Sequence, residues 1–209
     1  MKKAPGFPGV FIEFNGKYSP ESEDARDPPS EKRNLMNQAL LVIDMQNLLI
    51  DLHPLHYPEI REKVAALMQA AHAARLPIVL VRHTETVEGG LVEGTREWGF
   101  DPLLERLPHD RMMNKTDFSA FFHTDLDAYL RERGITHVLV AGMQTEYCID
   151  STIKGGYERG FKMQVVSDCV TTLPGSVLPP EQLNEHYRRA VYPNFAECKT
   201  AEEWISMWK

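Results

Sequence analysis

The sequence has few cysteines and no pattern of a secreted protein. Three cysteines occur in 209 residues, an odd and sparse set that excludes a disulfide framework and suits a reducing compartment. The first residues do not form the basic region and apolar core of a signal peptide, because they are interrupted by Pro5, Gly6, Pro8 and Gly9. We therefore expect a cytoplasmic protein.

Long hydrophobic runs and an excess of positive charge are also absent. No run approaches the roughly 20 apolar residues that a membrane span needs. The 23 basic and 30 acidic residues give a net charge of -7, which argues against a nucleic acid or an anionic membrane as partner. With 43% hydrophobic residues, the chain is long enough to bury one sizeable core.

Composition divides the chain into an N-terminal arm, residues 1–37, and a domain, residues 38–209. The arm is rich in Pro, Gly, Ser and charged residues, which favours irregular structure. Two interpretations stay open: a disordered tail, or an arm that packs apolar side chains on a neighbouring subunit. Those side chains are Phe7, Phe11, Ile12 and Phe14.

Strand and helix patterns alternate along the domain. A strand, a helix and a second strand within residues 39–82 indicate a βαβ unit, a parallel sheet and an α/β fold. Residues 83–109 form a long connection without helical period, and such connections are more often functional than idle. The predicted strands are 39–44, 77–82, 111–114, 136–141, 162–167 and 195–198, and the predicted helices are 58–75, 124–133, 146–160, 181–191 and 201–208.

The stretch 138–150 combines a buried strand, a turn and the start of a helix. Apolar residues 138–141 predict a strand that Gly142 ends, and a helix beginning near Glu146 places Cys148 in its first turn. The unpaired N–H groups and the dipole of that turn favour an anion, so we expect this thiol to ionise more easily than a free one. Cys148 is a candidate nucleophile; the alternative is a small buried residue.

Two charged side chains also follow predicted strands. Asp44 ends the first strand and Lys115 follows the third. If the strands are parallel neighbours, a carboxylate, an ammonium and the Cys148 thiol converge at one edge of the sheet. A thiol needs a base and an electropositive site, and a buried aspartate needs a cation to stay charged. Taken singly, Asp44 and Lys115 are more simply solvated surface groups; the three residues together favour a catalytic site.

Four segments carry a resemblance to a known family. They are LLVIDMQN at 40–47, NKTDFSAFFHTDL at 114–126, AGMQTEYCIDST at 141–152 and VVSDCVTT at 165–172. In this order they resemble the isochorismatase-like cysteine hydrolases, which include nicotinamidases and carbamoylsarcosine amidohydrolase, over residues 38–205. The resemblance implies a three-layer α/β/α fold whose mostly parallel six-stranded sheet has the order 3-2-1-4-5-6. It also implies a homo-oligomer, a dimer or a tetramer.

By this resemblance, Asp44, Lys115 and Cys148 match the catalytic triad of the family. The implied enzyme cleaves a C–N bond of a small amide or carbamoyl compound through a thioester on the cysteine. Backbone N–H groups of Gln144 and Cys148 would bind the oxyanion. The cis peptide that the family places before the nucleophile falls at Met143–Gln144. The expected partner is a small-molecule substrate, and no cofactor is expected.

Relatives line the substrate pocket with the loop after the second strand and the segment after the lysine. This nominates His83, Trp98, Phe118 and Tyr147. For His83, which directly follows a strand, a substrate contact and a structural hydrogen bond are both open. Trp98 fits either a lid over an apolar substrate or an interface anchor.

Nicotinamidases of this superfamily bind a metal through Asp-x-His and a further His near the second strand. Asp51, His53 and His56 supply such ligand types here. They lie too early, shortly after the first strand, whereas residues 82–90 after the second strand read RHTETVEGG. We therefore expect no metal, and this departure counts against nicotinamidase activity.

Two other functions stay open. Relatives with isochorismatase activity, the hydrolysis of a vinyl ether, lack the cysteine, so Cys148 counts against that reaction. A catalytically idle α/β domain used for binding or assembly would leave Cys148 unreactive toward alkylating agents.

Overall fold

Six strands form one sheet in the computed structural model, which describes residues 37–175 and 177–209. Their bounds are β1 Gln38–Ile43, β2 Ile78–His83, β3 Arg111–Lys115, β4 His137–Met143, β5 Lys162–Thr171 and β6 Ala196–Lys199. The strands pair in the order β3-β2-β1-β4-β5-β6, and every pairing is parallel. The predicted strand order is therefore confirmed.

Helices connect the strands within the described residues. The long helix between β1 and β2 starts with Pro58 in its first turn, where a missing N–H leaves no bond unmade. The α-helices are α1 Asn47–Asp51, α2 Tyr57–Ala73, α3 Leu126–Glu132, α4 Asp150–Glu158, α5 Pro180–His186 and α6 Ala201–Met207. Shorter 3-10 or π-helical segments are Val87–Gly89, Thr145–Ile149, Tyr187–Val191 and Tyr192–Asn194.

The sheet is buried on both faces. Leu41 and Ile43 of β1 pack into one apolar core, and Leu40 and Val42 pack into a second core on the other face, as alternation along a strand requires. Helices α2 and α6 contribute to the second core, whereas α3 and α4 contribute to the first. This is the predicted three-layer α/β/α architecture, and it explains why the strands are continuous apolar runs.

The strand order reverses at β1, which lies between β2 and β4. Ile43 at the end of β1 is in register with Gly142 of β4. Gly142 has a φ of 121°, and a Cβ there would clash with the backbone carbonyl of Ile43. Glycine is thus required where the two strands end, and the crevice beyond these ends is where open α/β sheets bind ligands.

Strand β5 is longer than the predicted strand 162–167. Val140 pairs with Val165, but Gly142 pairs with Val170, so β5 carries extra residues between the two pairs. The polar Ser167 and Asp168 in this bulge interrupt the apolar run on which the prediction relied. Pairing resumes beyond them and extends the strand to Thr171.

The connection between β2 and β3 crosses from the carboxyl edge of the sheet to the amino edge. Its regular structure is the short Val87–Gly89 segment and an antiparallel bridge between Gln46 and Phe100. Trp98 and Leu104 are buried, so the connection is packed on the domain. This agrees with the predicted absence of a helix.

Residues 1–36, nearly all of the predicted arm, lie outside the described residues, so both interpretations of the arm stay predictions. Among the residues that the structure describes, none of the helices has the length and apolar character needed to cross a membrane.

Candidate active site

Three strands bring a carboxylate, an ammonium and a thiol to the carboxyl edge of the sheet. Asp44 directly follows β1, Lys115 ends β3, and Cys148 lies in the π-helical turn after β4. The exposed fractions of these residues are 1%, 2% and 8%. Parallel strand ends thus collect three reactive side chains in a site that is almost closed to water.

The Lys115 ammonium lies at the centre of this site. Its Nζ is 2.8 Å from Asp44 Oδ2 and donates a hydrogen bond of 3.2 Å to Cys148 Sγ. It is also 3.1 Å from His83 Nδ1 and donates to the backbone carbonyl of Asp117 at 3.1 Å. An ammonium has three N–H donors, which the sulfur, the imidazole and the carbonyl acceptor occupy, while Asp44 Oδ2 adds an ion-pair contact.

Lys115 stays charged in this dry environment. Burial is the largest single effect and lowers the pKa of Lys115, but the Asp44 carboxylate and the Cys148 sulfur together outweigh burial, so the pKa lies above its ordinary value. The ion pair therefore keeps a positive charge beside the thiol.

Asp44 keeps an oxygen free for proton transfer. Both of its oxygens are buried and lack a hydrogen-bond partner within residues 37–175 and 177–209, but only Oδ2 makes the ion-pair contact with Lys115. A carboxylate oxygen of Asp44 lies within 4.8 Å of Cys148 Sγ. An unpartnered buried carboxylate oxygen is unfavourable, and accepting a proton from a neighbouring thiol would relieve it.

The Cys148 thiol is neutral in the resting site. Burial raises the pKa of Cys148 to about 12; the Asp44 carboxylate adds to the rise, whereas Lys115 opposes it. The expectation that this thiol ionises more easily than a free one is therefore wrong for the resting chain. The argument from the helix start omitted the loss of water and the adjacent negative charge, which here outweigh the dipole.

The turn that presents Cys148 follows a cis peptide bond at Met143–Gln144. The Gln144 carbonyl accepts hydrogen bonds from the N–H groups of Tyr147 and Ile149, which closes the turn around Cys148. Of the backbone N–H groups named from the resemblance as oxyanion donors, that of Gln144 directly precedes this turn and that of Cys148 lies within it. Their role in catalysis stays a prediction.

Two residues that sequence reasoning missed anchor this turn. Tyr192 donates a hydrogen bond of 2.8 Å from its hydroxyl to the Thr145 carbonyl, and the Thr145 hydroxyl donates to Asn184 Oδ1 at 2.6 Å. All three residues are buried. No local pattern could have identified Tyr192 and Asn184, because they come from a part of the chain about forty residues away.

His83 touches the Lys115 ammonium directly. Its Nε2 lies 3.3 Å from Glu85, on the side opposite the contact with Lys115. Burial and the Lys115 charge hold the pKa of His83 below its ordinary value. A neutral ring with its proton on Nε2 can accept from Lys115 at Nδ1 and donate to Glu85.

Gln46, also missed, fixes the strand end that carries His83. Its amide exchanges two hydrogen bonds with the His83 backbone, at 2.7 Å and 3.0 Å, and donates a third to the Trp98 carbonyl at 2.9 Å. This buried side chain therefore ties β1, β2 and the long connection together. Gln46 lies two residues after Asp44, within the segment 40–47 that carries the family resemblance. No structural role of its own was predicted for this residue from the sequence.

Trp98 is a buried side chain. The Arg82 guanidinium lies 3.4 Å from the centre of its ring, and the indole N–H donates to the Thr84 hydroxyl at 2.9 Å. These contacts hold the start of the connection against β2. A direct contact of Trp98 with substrate stays a prediction.

Phe118 and Tyr147 form an aromatic pair close in sequence to the residues of the candidate site. Their rings stack with centres 5.3 Å apart, and 56% of Phe118 and 45% of Tyr147 is exposed. Each is close in sequence to a triad residue, Lys115 or Cys148. The pair is available to a substrate ring or chain, and its role in binding stays a prediction.

Three side chains of the site are of types that can bind a metal ion. Asp44, His83 and Cys148 place ligand atoms within 4.8 Å of one another, but the Lys115 ammonium already contacts all three residues. Among the described residues, Asp51, His53 and His56 do not form such a group. Asp51 pairs with Arg96 at 2.8 Å instead.

The parallel six-stranded sheet in the order β3-β2-β1-β4-β5-β6, with helices on both faces, defines the class of fold, a three-layer α/β/α domain. The family model described as the isochorismatase domain matches residues 38–203. The chain belongs to the isochorismatase family of hydrolases, as the four sequence segments indicated.

Relatives of similar length support this assignment. The Bacillus subtilis isochorismatase family protein YddQ is 30% identical over 189 residues, which are 81% of this chain and 99% of YddQ. An isochorismatase family protein from Burkholderia thailandensis is 28% identical with a TM-score of 0.72, over 82% of this chain and 95% of that structure. A cysteine hydrolase from Pseudomonas syringae pv. phaseolicola has a TM-score of 0.76 at 22% identity, over 83% and 93% of the two chains, a likeness in fold alone.

A relative named for an amide reaction matches a shorter part of the chain. Ureidoacrylate amidohydrolase RutB from Methylorubrum extorquens is 33% identical over 88 residues, which are 42% of this chain and 36% of RutB.

Proposed function

We propose that this protein is a cysteine-dependent amidohydrolase that cleaves the C–N bond of a small amide or carbamoyl compound. Asp44 is the general base and acid, Cys148 is the nucleophile, and Lys115 holds the negative charge of the site. The amidohydrolase name of RutB supports an amide or ureido substrate in preference to an ether.

One observation carries this proposal: the Lys115 ammonium contacts both Asp44 Oδ2, at 2.8 Å, and Cys148 Sγ, at 3.2 Å. When a proton moves from the thiol to the carboxylate, the negative charge moves from oxygen to sulfur. Both atoms touch the same ammonium, so the charge stays paired before and after the transfer. Protonation of Asp44 also removes the neighbouring charge that raises the pKa of the thiol.

Acylation then follows from the positions of these groups. Asp44 takes the thiol proton while Cys148 Sγ attacks the carbonyl carbon and forms a C–S bond. The carbonyl oxygen becomes an oxyanion that accepts hydrogen bonds from the N–H groups of Gln144 and Cys148. Asp44 returns its proton to the nitrogen, the C–N bond breaks, and ammonia or an amine leaves a thioester on Cys148.

Deacylation uses the same groups, with water as the nucleophile and Cys148 as the leaving group. Asp44 takes a proton from a water molecule, whose oxygen attacks the thioester carbon. The C–S bond breaks, the acid product leaves, and the Cys148 thiolate recovers the proton from Asp44. The sum is amide plus water to acid plus amine, and no metal or other cofactor takes part.

The substrate would bind next to the triad, at the carboxyl edge of the sheet. His83 lies against the triad, and Phe118 and Tyr147 offer an exposed aromatic surface beside it. We propose that these three residues contact the substrate. Trp98 would act indirectly, because its carbonyl accepts a hydrogen bond from Gln46, which also binds the backbone of His83. The same exposed aromatic surface is also suited to contact between subunits in a homo-oligomer, whose subunit number light scattering would measure.

A substrate panel tests the reaction. Ammonia or amine release would be measured from primary amides, N-carbamoyl amino acids and ureido acids, with and without a chelator. The wild-type chain would be compared with Cys148→Ala and with Cys169→Ala, a matched removal of another buried thiol. We expect release that survives chelation, disappears in Cys148→Ala and persists in Cys169→Ala.

Intact-mass measurement after rapid quenching adds a direct test of the intermediate. The wild-type chain should gain the mass of the acyl group on Cys148, whereas Cys148→Ala should gain nothing. Undiminished turnover in Cys148→Ala would overturn the thiol mechanism. If every amide fails but a vinyl ether is hydrolysed, the alternative ether reaction replaces it. If no amide and no vinyl ether is turned over and no acyl mass appears on Cys148, the idle binding domain replaces it.

A further inference from the structure

A second polar cluster lies at the amino edge of the sheet, away from the candidate active site. His72 is in the last turn of α2, and Asp110 and His109 directly precede β3. We propose that His72, His109 and Asp110 bind a divalent transition-metal ion of the zinc type. The site would fasten the end of the β2–β3 connection to α2.

The three side chains already lie close enough to share one ion. A ligand atom from each lies within 4.8 Å of the others, and His72 Nε2 is 3.0 Å from both carboxylate oxygens of Asp110. Two ligands that each lie about 2.1 Å from a zinc ion are separated by roughly 3.0–3.4 Å in octahedral or tetrahedral geometry. Small side-chain movements would therefore admit the ion.

Asp110 differs from the other buried aspartates of the described residues in the partner of its negative charge. Three of the four buried aspartates have a lysine or arginine partner: Asp44 with Lys115 at 2.8 Å, Asp101 with Arg61 at 3.9 Å, and Asp150 with Lys154 at 2.7 Å. Within the same residues, Asp110 has the His72 ring as its basic neighbour and no lysine or arginine. A buried carboxylate requires a positive partner, and a metal ion on His72 and Asp110 would supply it.

The carboxylate is held in place before any ion binds. The Asp110 N–H donates to the Leu107 carbonyl at 3.0 Å, and the Leu107 N–H donates to Asp110 Oδ2 at 2.7 Å. Pro108 occupies the second position of this turn, where its fixed φ is favourable. The turn leaves Asp110 Oδ1 directed at His72 and presents His109 at the surface, its ring centre 5.8 Å from that of His72.

The donor set selects the kind of ion. Two imidazoles and one carboxylate suit zinc, cobalt or nickel, whereas magnesium prefers oxygen ligands. Residues 1–36 contain no histidine or cysteine, so every imidazole and thiol of the chain lies in the described residues. The competing explanation is a hydrogen-bonded His72–Asp110 pair that binds no ion.

Calorimetric titration of zinc into tag-free, chelator-stripped protein tests the proposal. The full-length Cys148→Ala chain serves as background, so that the catalytic thiol cannot bind the ion. We expect one equivalent to bind, and the midpoint of thermal unfolding to rise by roughly 5–10 °C at zinc a hundred-fold above the dissociation constant. Magnesium should give no rise.

Variants in the same background locate the ion. His109→Ala and Asp110→Asn should each weaken zinc binding at least roughly ten-fold. His109→Ala should do so without changing the stability of the metal-free chain, because His109 is exposed. His53→Asn is the matched control, since it removes an exposed histidine from a backbone of positive φ that asparagine tolerates.

Each outcome decides the proposal. Loss of the zinc equivalent in His109→Ala and Asp110→Asn, with retention in His53→Asn, supports it. Undiminished zinc binding in the first two variants, loss of binding in His53→Asn, or the absence of binding to the parent chain would overturn it and leave His72 and Asp110 as a hydrogen-bonded pair.

Discussion

The chain contains two groups of aspartate, lysine and cysteine that differ in burial. We call them the edge group (Asp44, Lys115, Cys148) and the surface group (Lys63, Asp168, Cys169). Each has a lysine–aspartate pair with an N–O distance of 2.8 Å. The two side chains of the edge pair are 0% and 1% exposed, but those of the surface pair are 47% and 23% exposed.

The comparison shows that residue types and bond length do not define a reactive site. In the surface group, Asp168 also accepts the Ala201 N–H at 2.8 Å and so caps α6, while water screens Lys63. In the edge group, the ammonium contacts the thiol directly and water is excluded, which strengthens each electrostatic interaction. Position at the switch point of the sheet provides both conditions.

The largest expected difference is between the two lysines. Lys115→Met leaves the Asp44 charge buried without a partner, and we expect the free energy of unfolding to fall by about 3–5 kcal/mol, with loss of activity. Lys63→Met breaks an exposed pair and should cost about 0–1 kcal/mol. Urea unfolding of both variants measures the difference. Equal losses of stability would show that burial does not separate the two groups.

A second comparison concerns the glycines that position the edge group. Gly142→Ala places a Cβ against the Ile43 backbone at a φ of 121°, and we expect it to cost about 3 kcal/mol or more. Gly156→Ala in α4 meets the flexible thioether of Met163 and the edge of the buried Phe121 ring, and should cost about 1–3 kcal/mol.

Urea midpoints measure both costs, and activity measurements on the folded fraction add a second readout. Because Gly142 lies where β4 ends before the Cys148 turn, its variant should also lose activity when folded. A Gly142→Ala chain that is both stable and fully active would show that the approach of β1 and β4 tolerates a Cβ.

The sequence was sufficient to predict where the edge group forms, because the carboxyl ends of neighbouring parallel strands meet regardless of side-chain detail. Strand ends placed Asp44 and Lys115 at the carboxyl edge, and the family resemblance supplied the strand order that brings them close to Cys148. The sequence did not predict the roles of Gln46, Asn184 and Tyr192, because their hydrogen bonds depend on long-range packing. The pKa of Cys148 was predicted in the wrong direction, since burial and the Asp44 charge are properties of the folded site.

Thiol reactivity separates the two cysteines further. Asp44 raises the pKa of Cys148, so Asp44→Asn should lower it and speed alkylation of Cys148 by iodoacetamide at pH 8, by roughly ten-fold per pKa unit. The same variant should be inactive, because the proton acceptor is missing. Cys169 is fully buried and should not be labelled in either chain.

Mass spectrometry of the labelled peptides gives both rates. Slower labelling of Asp44→Asn than of the wild-type chain would mean that Asp44 activates the resting thiol, contrary to the electrostatic argument. Labelling of Cys169 at a similar rate would mean that burial does not protect the surface-group thiol.

The smallest expected effect concerns His83, the histidine that contacts Lys115 of the edge group. The hydrogen bonds described for the surface group involve no histidine. Burial and Lys115 hold the pKa of His83 below its ordinary value of about 6.5, so the ring is neutral at pH 7 and accepts from Lys115. As pH falls through this lowered value, the ring gains a charge beside the ammonium and the contact is lost. We expect kcat/KM to decline several-fold on the acid side of about pH 6.5.

His83→Asn keeps an acceptor near Nδ1 but cannot titrate in this range, so its profile should lose that acid limb. His83→Ala removes the acceptor and should be less active than His83→Asn at every pH. The pH dependence of kcat/KM for the three chains, with one substrate, distinguishes these cases. If the acid limb is unchanged in His83→Asn, another group controls it, and the contact between His83 and Lys115 serves structure alone.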